Sequence, residues 1–362
     1  MRVSTTLSVL LAMLIASTAA SAPAPATPRA ALEKVVDEAV SAPLRDRKFS
    51  GVVLVAKKGR VLLRKAYGFA DHERSVRNTP ETPFMIMSVS KQFTAALIMR
   101  LAARGRLSVH DRVNRYLADW PAAWEEVTIH DLLTHTAGTD IDTTYFWLLQ
   151  HHPELWPETS APPRYEPRPL TAAPGTTFRY ANVGYTLLSL IASAAGGKPF
   201  DELMRTEVFR PLGMRHTRPE RGAAVKGRAR GYRRTDSGFA RSEQRTVDIV
   251  GAGDLVSTAD DLARWDEALN DDRFLPASLR NAMLTPYASG KLGNVGYGWF
   301  MRTGSDGQLR QFHSGDGAGF RAWNYRLPER QLVIVVLSNV HDPEAMWVRE
   351  LVDRIADCLE DS

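Results

Sequence analysis

The hydrophobic pattern of this chain changes period twice, and few folds satisfy both changes. Gly51 to Ala56 and Arg60 to Gly68 are two strand-like runs around Lys57-Lys58-Gly59, the pattern of a β-hairpin. From about residue 90 to 285 the apolar residues recur at helical spacing. Four strand-like runs then return, Gly296 to Met301, Gln308 to Phe312, Gly319 to Leu327 and Gln331 to Ser338, separated by turns containing Gly, Asp or Pro. Strands at both ends enclosing a helical middle predict an α+β protein. Both ends of the chain complete one antiparallel sheet, helices flank it, and a mainly α-helical domain is inserted between the strands.

Helices are expected outside the strands as well. Leu32, Val35, Val36 and Val40 make Ala31 to Ser41 amphipathic, and Glu344 to Leu359 closes the chain. The expected organisation is a catalytic domain over 31–345 and a C-terminal helix over 346–362 packed on the sheet. In the middle, Thr128 caps a helix that stops at Gly138, Gly184 to Ala195 is closed by Gly196-Gly197, and Phe200 to Phe209 forms another helix. Ser257-Thr258-Ala259-Asp260-Asp261 starts a helix with an acidic first turn. From Asp140 to Pro174, Pro and bulky apolar residues allow two readings: a helix over Thr143 to His151 packed on the core, or a wall of a binding site.

At 362 residues, 44% hydrophobic and 24% charged, the chain has the length and composition to bury a large core. Met1-Arg2, the apolar run Leu7 to Ile15 and the small residues that follow have the form of a secretory signal peptide over 1–20. An Ala/Pro linker over 21–30 comes next, so export without a membrane anchor is expected. Cys358 is the sole cysteine, so stability must come from packing rather than a disulfide. The net charge of +5 and the arginines between Arg218 and Arg245 lack any nucleic-acid motif and read as a solvated face. No His-Glu-x-x-His, phosphate-binding glycine loop or Gly-x-Ser-x-Gly elbow occurs, so neither metal nor cofactor is expected.

The chemistry is placed at Ser88-Val89-Ser90-Lys91, which puts a hydroxyl and an amine three residues apart at the start of an apolar helical run. Positions i and i+3 share a helical face. A serine hydroxyl becomes a nucleophile when a base takes its proton, and a lysine is that base once burial deprotonates it. Bringing a lysine from its ordinary range to near neutrality takes about 4–5 kcal/mol of differential interaction, which demands a desolvated cleft. Ser-x-x-Lys alone is a weak signal. Two more motifs in a fixed order raise it: Tyr180-Ala181-Asn182 before a helix, and His313-Ser314-Gly315 on a late strand.

With these three motifs the sequence resembles the serine β-lactamase and penicillin-binding-protein superfamily, most closely its class C β-lactamase-like branch. The resemblance spans about Gly51 to Asn339 and includes Leu132 to Gly138, Pro211 to Met214 and Gly253 to Asp261. It implies a five-stranded antiparallel sheet flanked by helices, with the site in the cleft against the helical domain. Ser88 would be the acylated nucleophile, Lys91 its proton partner, Tyr180 a phenol that shuttles protons, and Asn182 a ligand to substrate and Lys91. Ser314 and Gly315 complete the third motif, and the backbone N–H groups of Ser88 and Asp316 would form the oxyanion hole. Either Lys91 or Tyr180 fits the role of base. His135 is expected to be structural, and Ser90 to support the site rather than attack.

His313 stands where penicillin-recognising members most often carry a lysine. A histidine near its unperturbed pKa is mostly neutral at pH 7. Binding of substrate by a partly cationic His313 is therefore expected, with KM for an anionic substrate rising between pH 5.5 and 8. The substrate is a small molecule or peptide bearing an amide, ester or β-lactam carbonyl. The competing class is a non-catalytic module that binds cell-wall peptides.

Overall fold

A computed structural model describes residues 28–155, 166–220, 225–236, 238–242, 249–341 and 347–359. The expected signal segment, most of the linker, the tip of the Asp140 to Pro174 stretch and part of the arginine-rich stretch fall outside them. Helix α1, Pro28–Arg45, begins inside the stretch read as linker, because Pro28 sits at the first helical position, where its missing N–H costs nothing.

The hairpin forms as expected, β1 over Gly51–Lys57 and β2 over Arg60–Tyr67. The C-terminal strands are β3 (Ala288–Gly290), β4 (Gly293–Val295), β5 (Phe300–Thr303), β6 (Leu309–Gly317), β7 (Phe320–Leu327) and β8 (Leu332–Ser338). All eight join one antiparallel sheet in the order β3-β4-β5-β6-β7-β8-β1-β2. Pairing of β1 with β8 closes the two ends of the chain on each other, from Gly51 opposite Ser338 to Lys57 opposite Leu332. The five strands that the resemblance implies are the long ones, β1, β2, β6, β7 and β8, and three short strands extend the β6 edge.

Period-two alternation makes this sheet the middle of three layers. Along β8, Leu332, Ile334 and Val336 enter one core and Val333, Val335 and Leu337 the other, so the strand is buried on both faces. One core is capped by α1, through Leu32, Val36 and Val40, and by the C-terminal helix Trp347–Cys358, through Val348, Leu351, Val352 and Ile355. Fully burying each such side chain is worth about 1.5–3 kcal/mol. The other core belongs to the helical insertion: α2 (Ser90–Ala103), α3 (Ile129–Leu133), α4 (Ile141–His151), α5 (Asn182–Gly196), α6 (Ala259–Glu267) and α7 (Ala277–Met283).

Helix α2 is buried all round, with Ser90 to Met99 continuously covered, which suits the centre of a two-sided core rather than a surface. Thr128 caps α3 in a capping box with Asp131, and Gly197 closes α5 in the left-handed conformation. Phe200 to Phe209 is a short α-helix that widens to a π-helix from Met204. Helix α4 packs on the core through Trp147, Leu148 and Leu149, the first of the two readings for this stretch.

Candidate active site

Ser88 lies in a single 3₁₀ turn, Met87–Val89, that feeds directly into α2. Phe84–Met85 pairs with Leu255–Ser257, and the Ile86 N–H donates to the Leu255 carbonyl at 2.9 Å, so the approach to Ser88 is tied to the segment just after residues 250–254. The Ser90 hydroxyl accepts from the Leu255 N–H at 3.3 Å, a bracing contact rather than a reactive one. Met87 adopts φ 47°, a left-handed backbone costly for a residue with a Cβ. Ser88 is only part-buried and so open to a substrate, at the N-terminal end of a helix whose dipole favours negative charge.

Lys91, one turn on, is completely buried. Its Nζ lies 2.7 Å from the Ala252 carbonyl, 2.8 Å from Asn182 Oδ1 and 3.1 Å from Ser88 Oγ. The first two partners can only accept, so they fix two N–H bonds, and in the neutral amine the lone pair is left toward the Ser88 hydroxyl. Burial holds the Lys91 pKa well below the ordinary lysine range, against the opposing pull of Asp254.

Tyr180 stands at the other side of Ser88, its hydroxyl hydrogen-bonded to that residue and its ring 4.9 Å from Lys91 Nζ. Burial raises the phenol pKa well above its usual value, so at neutral pH Tyr180 keeps its proton. Asn182 opens α5. Its Oδ1 accepts from Lys91, and the residue is otherwise exposed.

His135 has the structural part expected of it, with a consequence for the site. Its Nδ1 accepts from the Ala181 N–H at 3.2 Å, its carbonyl accepts from the Arg179 N–H at 2.8 Å, and its ring lies 4.5 Å from that of Tyr180. The backbone on both sides of Tyr180 is thereby pinned. Burial keeps His135 neutral.

The sheet supplies the opposite wall. A Cβ on Gly315 would fall 2.1 Å from the Ile86 carbonyl oxygen and 2.9 Å from Met87 Cβ, so glycine is what allows β6 to lie against the Ser88 turn. His313 and Gly315 face the helical insertion. Ser314 and Asp316 alternate with them, and the Asp316 carboxylate pairs with Arg321 Nη1 at 2.5 Å and His341 Nε2 at 2.6 Å.

The expectation of a cationic His313 is not met. The residue is 3% exposed, and burial, with Lys91 as a lesser cause, pushes its pKa down to about 3. Nδ1 lies 2.7 Å from the Ser314 carbonyl, which can only accept, so Nδ1 carries the proton and Nε2 the lone pair. This wall presents a neutral imidazole flanked by Phe300 at 5.0 Å and Tyr180 at 6.2 Å between ring centroids.

Ser88, Lys91, Tyr180, Asn182, His313 and Gly315 thus converge on one cleft. What the motifs omitted is the Ala252 carbonyl, the second acceptor for Lys91. The two glycines that flank it, Gly251 and Gly253, were its signal: a Cβ on Gly251 would lie 2.8 Å from the Tyr185 carbonyl oxygen, and one on Gly253 2.5 Å from Ile249 Cδ1.

Comparison with known proteins identifies the family. The model of the Beta-lactamase family matches residues 34–355, and the chain belongs to that family. It is 26% identical over 319 residues, 85% of this chain and 76% of the relative, to PbpX of Bacillus subtilis (strain 168), which carries the name of a penicillin-binding protein. Among solved structures, a penicillin-binding protein from Bacillus halodurans superposes with a TM-score of 0.73 at 25% identity, covering 87% of this chain and 98% of that one. EstCE1, described as a hydrolase with promiscuous acyltransferase activity, shares the fold with a TM-score of 0.72 at 20% identity over 90% of this chain and 99% of its own.

Proposed function

We propose that the protein is an exported serine hydrolase that forms an acyl-enzyme through Ser88 on an ester, amide or β-lactam carbonyl, with no cofactor. The observation that carries this reading is the coordination of Lys91: a fully buried amine with two acceptors fixed at 2.7 and 2.8 Å and the Ser88 hydroxyl at 3.1 Å.

Lys91 Nζ takes the Ser88 proton as Oγ attacks the carbonyl carbon, a step to which a positioned base contributes about 10²–10⁴-fold. In the free enzyme the base is Lys91 rather than Tyr180, because burial pushes the lysine toward its neutral form and the phenol away from its anionic one. The N–H groups of Ser88 and Asp316 receive the oxyanion, aided by the N-terminus of α2. The proton on Lys91 passes by Tyr180 to the leaving oxygen or nitrogen as the carbonyl re-forms. Water then attacks the Ser88 ester and gives its proton to the same relay, which returns it to Ser88 Oγ as the acid leaves. A neutral His313 favours uncharged acyl donors over those that need a cation beside a carboxylate.

Intact-mass measurement after incubation with a fluorophosphonate, an activated ester and a penicillin tests this. A one-adduct mass shift on Ser88 with the phosphonate and turnover of the ester are expected, and Ser88→Ala should lose both while keeping its unfolding transition. A stable ester adduct without turnover would mark a binding module, and no adduct with any probe would remove the proposed nucleophile.

A further inference from the structure

Lys91 is held from outside its own helix by a turn whose closing side chain has no part in the proposed chemistry. Residues 250–252 direct three consecutive carbonyls at the two catalytic helices. The Val250 carbonyl accepts from Thr186 Oγ1 at 3.0 Å, that of Gly251 from Thr94 Oγ1 at 2.6 Å, and that of Ala252 from Lys91 Nζ at 2.7 Å. Thr94 is three residues beyond Lys91 on α2, and Thr186 four beyond Asn182 on α5, so each pair shares one helical face. The turn therefore stitches together the two faces that carry the relay. Gly251 at its centre has φ 71° and no room for a Cβ. The turn is closed by the side chain of Asp254, whose Oδ1 accepts the Gly251 N–H at 3.0 Å. Asp254 is fully buried and in electrostatic contact with Lys91.

We infer that Asp254 is a positioning residue for Lys91: its carboxylate shapes the carbonyl turn that aims the amine at Ser88, and its charge sets the pH at which that amine becomes a base. This rests on the reading of Lys91 as the base for Ser88. Among the described residues, the other titratable groups that face Lys91 are His135 and His313, both held neutral by burial, and the phenols of Tyr180 and Tyr185, both raised by burial. Asp254 is the one carboxyl group in that set. An anion beside a lysine favours the ammonium, so it works against desolvation and keeps the lysine able to hold the serine proton after it has taken it. Without that charge the amine would sit deprotonated at lower pH and be a weaker base.

The test is the second-order rate of fluorophosphonate labelling of Ser88 between pH 4 and 10, which requires no knowledge of the natural substrate. Asp254→Asn keeps an oxygen acceptor for the Gly251 N–H and removes the charge. Its acid limb should move down by about one pH unit relative to the wild type, with a lower plateau. Thr94→Val loosens the same turn without touching a charge, and should lower the plateau while leaving the limb in place. If Asp254→Asn gives no cooperative unfolding transition, Asp254→Ser takes the same measurement. An acid limb for the neutral variant that coincides with wild type overturns the inference, as does an equal displacement in Thr94→Val. Absence of labelling in the wild type would instead remove the assignment of Ser88 and Lys91.

Discussion

Gly315→Ala places one methyl group where β6 meets the Ser88 turn. The added Cβ would lie 2.1 Å from the Ile86 carbonyl oxygen, 2.9 Å from Met87 Cβ and 3.0 Å from the Ile86 carbonyl carbon, two of these being backbone atoms that cannot rotate away. Bringing the first contact to the 3.0 Å that real Cβ atoms respect opens the seam by about 1 Å. The stability cost of such overpacking is about 1–3 kcal/mol. The catalytic cost is larger on the proposed mechanism, in which the N–H groups of Ser88 and Asp316 act on one oxygen from either side of this seam. A displacement of 1 Å costs about 10²-fold, and loss of an oxyanion donor about 10²–10³-fold. The expected result with an activated ester is therefore a fall of about 10²–10³ in kcat with KM little changed, alongside a lowered but cooperative thermal transition. A folded Gly315→Ala protein that keeps kcat within threefold of wild type would refute the placement of the oxyanion hole across this seam.

Two further outcomes follow from the protonation states. The rate of Ser88 acylation should rise with pH as Lys91 loses its proton, at a pH well below the ordinary lysine range, and show no falling limb before about pH 10, since the Tyr180 phenol is shifted upward. A falling limb near neutrality in a pH–rate profile with a neutral ester would count against a protonated Tyr180. For His313, with a pKa near 3 and no change of charge across the range, the ratio of KM values for an anionic and a neutral ester should stay flat between pH 5.5 and 8. A ratio that climbs with pH would restore the cationic histidine expected from sequence.

Much of the architecture was legible because it is written in local periods. The hairpin at Gly51 to Gly68, the apolar run of β8 and the caps at Thr128 and Gly197 are short-range features that residue types impose on their neighbours. The short edge strands Ala288–Gly290 and Gly293–Val295 were not, since their residues carry almost no strand propensity and are held by pairing onto β5 through its neighbours. Likewise the two-residue strand Phe84–Met85 exists because Leu255–Ser257 lies beside it, far along the chain.

Sequence by itself determined which chemistry is possible here: a hydroxyl and an amine one helical turn apart, a tyrosine before a helix and a histidine on a strand. Those choices are matters of residue type and spacing. Tertiary structure decided the charge on each group and the direction in which it points. Lys91 reaches toward neutrality and His313 stays neutral because both are removed from water by packing between the sheet and the helical insertion. The Ala252 carbonyl and the Asp254 carboxylate reach Lys91 only across more than 160 residues of chain. Desolvation and long-range contact depend on the whole fold, and so no local pattern could carry them.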